Sequence, residues 1–127
     1  MTINLNKDVI VISPSQKATV EKCDQSLYQR LDRHYNQFVD HKLVSCHEFE
    51  QDWTNWEIHP NGDEVIVLLG GKATFVLDLP DGHECTDLEE EGSVIIIPQN
   101  IWHTVKTKVK TKLLFITPGE GTQHKSV

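Results

Sequence analysis

The stretches Glu57-Ile58-His59-Pro60-Asn61-Gly62-Asp63-Glu64 and Pro98-Gln99-Asn100-Ile101-Trp102-His103 decide the fold of this chain. In the first stretch, Glu57 and His59 are two residues apart, and residues at that spacing on a β-strand point to the same side. The Pro-Asn-Gly-Asp segment that follows is a dense turn signal, so the chain is expected to reverse there. Glu64 then starts the returning strand.

A hairpin at this turn would bring three potential metal ligands together. Its four-residue loop would place Glu64 directly across from His59. Ile66 would then lie across from Glu57, which makes Ile66 a candidate residue of the pocket wall. All four side chains would share one face of the hairpin.

The fourth potential ligand, His103, follows a second apolar strand at residues 93–97 and a polar turn that begins at Pro98. Only a sheet that curls around can bring this histidine to the first stretch. In a closed or nearly closed antiparallel barrel, alternate residues of every strand point into the lumen. The two stretches therefore predict an all-β barrel in which two imidazoles and two carboxylates surround one divalent metal ion.

This pattern resembles the cupin family of small β-barrel metalloproteins. The places of the first cupin motif are held by Glu57-x-His59, Glu64 and Gly70-Gly71. The second motif is matched by Gly92, Pro98 and His103, with Asn100 where glycine is usual and Thr107 where asparagine is usual. The matching region runs from residue 56 to about residue 107, and its short segment between the motifs resembles that of compact bacterial single-domain cupins.

The resemblance implies a cupin-like antiparallel β-barrel, also called a double-stranded β-helix or jelly roll, that holds a divalent ion of iron, manganese, nickel or zinc. The implied ligands are Glu57, His59, Glu64 and His103. Glu57 departs from the family pattern, in which histidine is usual, but a carboxylate binds a divalent ion at a similar distance. The added charge favours Mn(II) or Fe(II), although zinc or nickel could still occupy the site. Alternatively, Glu57 stays unligated and serves as a base or a substrate contact.

The 127 residues fit a single domain. We expect an N-terminal arm and helix over residues 1–40, the barrel over residues 41–119 and a flexible tail over residues 120–127. Asp24 is a good helix N-cap, and the apolar residues that follow it at helical spacing predict one helix from about residue 25 to residue 39. That helix would cover one barrel face or contribute to a dimer contact. Evenly spaced strands separated by Gly-Gly, Pro-Asp-Gly and Glu-Gly turns support the barrel.

A predicted strand at residues 41–49 places Leu43, Ser45, His47 and Phe49 on one side. If that side faces the lumen, His47 could contact a substrate. An exposed histidine is equally compatible with the alternation.

Charge and composition exclude several classes of partner. Twelve basic and nineteen acidic residues give a formal charge of −7, which disfavours nucleic acid. The first residues lack the pattern of a secretory signal, and no apolar stretch approaches the ~20 residues of a spanning helix. We therefore expect a cytoplasmic protein with no membrane partner, and its three cysteines without C-x-x-C spacing suit reduced thiols. The cupin resemblance implies a homodimer, because such barrels with an N-terminal arm commonly pair through swapped strands.

Three functions are compatible with this sequence. Cupins include dioxygenases, isomerases, decarboxylases, epimerases and noncatalytic sensors, and a fold does not choose among them. We favour a metal-dependent enzyme, of dioxygenase or isomerase type, that acts on a small oxygen-bearing metabolite. The alternative is a noncatalytic module that binds or senses a small molecule. A purely structural dimerisation unit would leave two buried carboxylates without a cation, which is costly.

Overall fold

Residues 2–127 of the chain, as described by a computed structural model, form eleven β-strands, one α-helix and one 3-10 helix. The N-terminal elements are β1 (Asp8–Ile12), β2 (Ala18–Lys22), α1 (Leu27–His34) and the 3-10 helix (Asn36–Phe38). The remaining strands are β3 (Lys42–Phe49), β4 (Asn55–Ile58), β5 (Glu64–Gly70), β6 (Ala73–Leu79), β7 (Gly82–Leu88), β8 (Val94–Ile97), β9 (Trp102–Lys106), β10 (Thr111–Thr117) and β11 (Gln123–Ser126).

The strands form two antiparallel sheets that enclose the core. One sheet has six strands in the order β2-β1-β3-β10-β5-β8, and the other has five in the order β11-β4-β9-β6-β7. Every strand pair in both sheets is antiparallel. The predicted all-β architecture with one N-terminal α-helix is therefore confirmed.

Side chains along β5 alternate between the interior of the barrel and its outer face. Glu64, Ile66 and Leu68 are successive inward residues and are all buried, whereas the residues between them are partly exposed. Ile66 and Leu68 pack in an apolar cluster with residues such as Phe75 and Leu113. Glu64 is thus the inward residue at the beginning of β5, where the apolar core gives way to polar side chains.

The predicted hairpin between β4 and β5 is wrong. β4 pairs with β9 and β11, whereas β5 pairs with β10 and β8, so the turn carries the chain from one sheet to the other. Glu64 lies across from Ile97 rather than from His59. The turn bonds to the second sequence stretch instead of closing on itself: the Asn100 amide donates to the His59 carbonyl at 2.9 Å, and the Gln99 amide donates to Asp63 Oδ1 at 2.7 Å.

The N-terminal segment contains a second strand, β2, and a shorter helix than the sequence predicts. α1 ends at His34 because Asn36, Gln37 and Phe38 all adopt positive φ, between 53° and 61°. The N-cap is Ser26 rather than Asp24, whose Oδ1 accepts from the Ser26 amide at 3.0 Å. Neither helix in the described part of the chain has the length and apolarity that crossing a membrane requires.

The helix covers the inner face of the N-terminal strands. Leu27 and Leu31 of α1 are buried in a second apolar cluster with Val9 and Val11 of β1 and Leu43 of β3. This contact agrees with the expected cover over one barrel face, and it places α1 beside the mouth of the barrel.

Residues 120–127, expected as a flexible tail, include β11. Its backbone pairs with β4, and His124 lies across from Glu57 in the register. All four side chains of β11 are exposed, so no alternation of apolar and polar residues predicts this strand. Backbone hydrogen bonds to β4 hold this segment against the barrel.

Candidate metal centre

The four predicted ligands converge, with one donor atom from each lying within 4.8 Å of the others. His59 Nε2 is 3.3 Å from Glu64 Oε2, and His103 Nε2 is 3.1 Å from Glu64 Oε1. Glu57 Oε1 is 3.6 Å from His59 Nε2. The sequence therefore identified the members of this cluster correctly, although the predicted hairpin was wrong.

Both sheets contribute to the cluster. Glu57 of β4 and His103 of β9 are cross-strand neighbours in the five-stranded sheet, whereas Glu64 belongs to β5 of the six-stranded sheet. His59 immediately follows β4, in the segment that crosses between the sheets. His103, Glu64 and His59 have relative exposures of 0%, 2% and 4%, so the cluster lies deep in the protein.

Hydrogen bonds fix the tautomer and orientation of both histidines. His103 Nδ1 donates to the Ile101 carbonyl at 3.2 Å, because a carbonyl can only accept. The Thr122 hydroxyl donates to the Gly119 carbonyl at 2.9 Å, so it accepts at 2.8 Å from His59 Nδ1. Each histidine therefore keeps its Nδ1 proton in a hydrogen bond outside the cluster and directs Nε2 at the cluster, as a metal ligand requires.

The carboxylates are held by neighbouring donors. Thr117 Oγ1 donates to Glu64 Oε2 at 2.6 Å. Glu57 is less buried, and its Oε2 lies 2.9 Å from His124 Nε2 while its Oε1 faces His59. Glu57 thus lies at the edge of the cluster, whereas Glu64 lies at its centre.

Three atoms of the cluster that could bind a metal ion have no hydrogen-bond partner among the described residues. They are His59 Nε2, Glu64 Oε1 and His103 Nε2, and all three are buried. Unsatisfied buried polar groups are costly and rare in folded proteins. A divalent ion with metal–ligand bonds of about 2.0–2.2 Å would satisfy all three atoms. Two ligand atoms at that distance from the ion, with a right angle between their bonds, lie about 3 Å apart. The residues present therefore fit a metal ion.

The cluster has an unusual electrostatic balance. Burial by itself would lower the pKa of His59, but the nearby carboxylates of Glu57 and Glu64 outweigh it and raise that pKa to about 9. Burial would raise the pKa of Glu64, yet the nearby imidazoles of His103 and His59 lower it to about 2. Protons thus occupy the place that a cation would take, and metal binding must displace them.

A cavity of about 720 Å³ opens above the cluster, between the barrel and α1. His47 lies in its wall, and its ring contacts Phe115 with centroids 5.5 Å apart. The His47 side chain is exposed at this wall, and partial desolvation there lowers its pKa. The other candidate pocket residue, Ile66, is 0% exposed and lies in the apolar core below the cavity, so its assignment to the pocket is corrected. Its position follows from the pairing of β5 with β10 rather than with β4.

Three further residues bond to members of the cluster and were not predicted from the sequence: Thr117, Thr122 and His124. Thr122 and His124 belong to the segment that was expected to be a tail. They are two residues apart, so a strand there would place them on the same side, and this spacing was the only signal that could have identified them.

Replacing Thr122 with valine is expected to weaken metal binding by about 10- to 100-fold, because the variant keeps the side-chain shape but loses the acceptor that orients His59. Thr122→Ser retains the hydroxyl and should bind within about threefold of the wild type. Isothermal titration with zinc measures both. Equal affinities for the valine and serine variants would contradict the orienting role.

Comparisons with known proteins found solved structures of similar fold. No family model matches the sequence, and no curated protein matches it. Three of the similar solved structures are a cupin-2 domain containing protein from Shewanella frigidimarina, an oxalate oxidase in complex with glycolate, and a hydroxypropylphosphonic acid epoxidase from S. wedmorenis. Their identities to this chain are 22%, 15% and 13%, with TM-scores of 0.52, 0.56 and 0.51.

The overlap with these structures is partial. The comparison covers 61% of this chain and 70% of the Shewanella protein. It covers 65% of this chain and 45% of the oxalate oxidase, and 60% of this chain and 43% of the epoxidase. At these identities the likeness establishes the fold alone. The chain has the cupin fold.

Proposed function

We propose that this chain binds one divalent transition-metal ion through Glu57, His59, Glu64 and His103, and uses it on a small metabolite held in the adjacent cavity. One observation carries the proposal: three buried donor atoms face one another with no hydrogen-bond partner among residues 2–127. The 3.1 Å between His103 Nε2 and Glu64 Oε1 suits two ligands of one ion, and one ligand atom from each of the four residues lies within 4.8 Å of the others. The enzymes among proteins of the same fold, an oxalate oxidase and an epoxidase, support a catalytic role.

Each residue has a distinct role in this proposal. His59 and His103 supply neutral nitrogen donors, and Glu64 supplies Oε1 from the centre of the site. Glu57 either completes the set or stays unligated at the cavity wall as a base or substrate contact. Two nitrogen and two carboxylate oxygen donors favour Mn(II) or Fe(II), and zinc or nickel would also bind.

The bound ion would act as a Lewis acid or a redox centre for an oxygen-bearing substrate. The chain itself positions the substrate and limits access of water. α1 and the 3-10 helix cover one side of the cavity through Leu31 and Phe38, and Phe115 and Trp53 line the barrel side. These contacts would hold a small molecule directly above the cluster.

Metal analysis tests the proposal. Protein purified without added metal, and then titrated with Mn(II), Fe(II) under anaerobic conditions, and zinc, should bind about one equivalent. The proposal fails if the purified protein contains less than about a tenth of an equivalent of any transition metal and takes up none on titration.

A noncatalytic binding module is the second candidate. It is favoured by the aromatic side chains Phe49, Trp53 and Phe115 in the cavity wall and by a histidine there, His47, which could contact a ligand without a metal. The double variant His59→Ala/His103→Ala separates the candidates in a thermal-shift screen of small acids and sugars. Ligand binding that survives without the metal supports the binding module, whereas its loss supports the enzyme.

A further inference from the structure

Glu57 is the most exposed member of the cluster. Its side chain is 25% exposed, whereas those of His59, Glu64 and His103 are 4%, 2% and 0% exposed. A groove of about 470 Å³ is lined by residues 49–55 together with Glu57 and His124, so the Glu57 side chain has space into which it could turn. A glutamate that binds a metal ion from such a position needs a second contact, because a side chain that is free to change rotamer loses entropy when it is fixed.

His124 supplies that contact. Its Nε2 lies 2.9 Å from Glu57 Oε2, and an ionised carboxylate can only accept a hydrogen bond, so the imidazole donates. Glu57 Oε1 faces the cluster instead, at 3.6 Å from His59 Nε2. The two oxygens of Glu57 therefore have different partners, one on strand β11 and one inside the cluster.

The register of β11 brings His124 to this place. β11 is the edge strand of the five-stranded sheet and pairs with β4, so that His124 lies directly across from Glu57. The next residue, Lys125, points to the opposite face, where its Nζ lies 4.4 Å from the centre of the Trp102 ring and 6.0 Å from that of Trp56. An ammonium ion over a tryptophan ring is attracted to it. Lys125 therefore supports the strand on the outer face, while His124 reaches Glu57 on the other.

We propose that His124 is a positioning residue, whose hydrogen bond to Oε2 holds Glu57 in the cluster so that Oε1 alone binds the metal ion. This inference rests on the proposed metal site, and it decides between the two roles that Glu57 could have there. With Oε2 bonded to His124 and Oε1 to the ion, neither oxygen is free to take a proton from a substrate. A carboxylate that binds through one oxygen uses one coordination position instead of two, and so leaves more positions for a substrate.

Competition titration of the full chain with Co(II), against a chromogenic chelator, measures the effect of His124. His124→Leu cannot donate a hydrogen bond and should lower the Co(II) affinity by about tenfold, the lower end of the usual effect of a supporting bond, because His124 is 53% exposed. His124→Gln retains an N–H donor and should bind Co(II) within about threefold of the wild type. Ser126→Leu is the matched control, because Ser126 lies on the same strand but across from Asn55, and its affinity should equal that of the wild type.

A double-variant cycle separates this role from a general effect on the strand. Glu57→Ala removes the proposed ligand and should lower the Co(II) affinity at least as much as His124→Leu does. In the Glu57→Ala background, His124→Leu should cause no further loss, because the histidine then has no carboxylate to hold. The visible spectrum of bound Co(II) should change in His124→Leu and return to that of the wild type in His124→Gln.

Three results would overturn the inference: wild-type affinity in Glu57→Ala, an unchanged affinity in His124→Leu, or the same loss from His124→Leu with and without Glu57. A loss in His124→Gln as large as in His124→Leu would also overturn it, with circular dichroism to check that both variants are folded. The proposed metal site would survive each of these results if the wild type still takes up one equivalent of Co(II) and His103→Ala does not. A wild-type protein that takes up no Co(II) would contradict the metal site itself, and the inference with it.

Discussion

Replacing His103 with alanine is expected to lower metal affinity by about a hundredfold or more. His103 is fully buried, its Nε2 lies 3.1 Å from Glu64 Oε1, and its Nδ1 is already fixed by the Ile101 carbonyl. The other side chains that bond to the cluster, Thr117, Thr122 and His124, are already engaged with Glu64, His59 and Glu57. Removal of one of four metal ligands should lower the metal affinity by more than the 10- to 100-fold that follows the loss of a supporting hydrogen bond.

Competition titration against a chromogenic chelator measures this loss. His83→Ala is the matched control, because His83 is an exposed histidine that packs on Trp56 rather than in the cluster. The metal affinity of this variant should equal that of the wild type. His103→Gln keeps most of the side-chain volume and shows whether the loss reflects the missing ligand rather than a collapsed site. Wild-type affinity in His103→Ala would exclude this histidine from the metal centre.

Replacing Gly71 with alanine is expected to destabilise the protein by about 2–6 kcal/mol. Gly71 has a φ of +82°, which alone costs a residue with a β-carbon about 1–3 kcal/mol. An added Cβ would also lie 2.3 Å from the Lys110 carbonyl oxygen and 2.7 Å from Thr111 Cα, both part of the backbone. Overpacking of this kind adds about 1–3 kcal/mol, because backbone atoms cannot rotate away.

The neighbouring glycine provides the control. A Cβ at Gly70 meets nothing within 4 Å, and Gly70 is not among the residues with positive φ. Urea denaturation followed by tryptophan fluorescence should therefore show a much lower midpoint for Gly71→Ala and a nearly unchanged midpoint for Gly70→Ala. Equal midpoints would mean that the tight approach to residues 110–111 does not constrain the fold.

Strand parity determined which side chains face inward. The spacing of Glu57 and His59, and the position of Glu64 at the beginning of a strand, predicted that these side chains face inward, whereas their meeting with His103 was predicted from a curled sheet and from the cupin resemblance. Parity is a local property of the backbone, so it is preserved whichever strand becomes the neighbour. The class of the fold followed from the same alternation and from the turns that separate the strands.

Strand pairing was not local. The turn at residues 60–63 looked like a hairpin, but its backbone bonds to residues 99 and 100 and sends β5 into the other sheet. Ile66 therefore moved from the expected pocket wall to the core.

From its sequence alone, this chain determined the inward-facing side chains of the cluster, the all-β class and the N-terminal helix, because each depends on periodicity over a few residues. Only the tertiary structure decided the sheet to which each strand belongs, the cavity above the cluster and the support of His59 by Thr122, because these arise between segments far apart in the chain. β11 shows the reason most clearly: its four side chains are exposed, and backbone pairing with β4 alone brings His124 to Glu57.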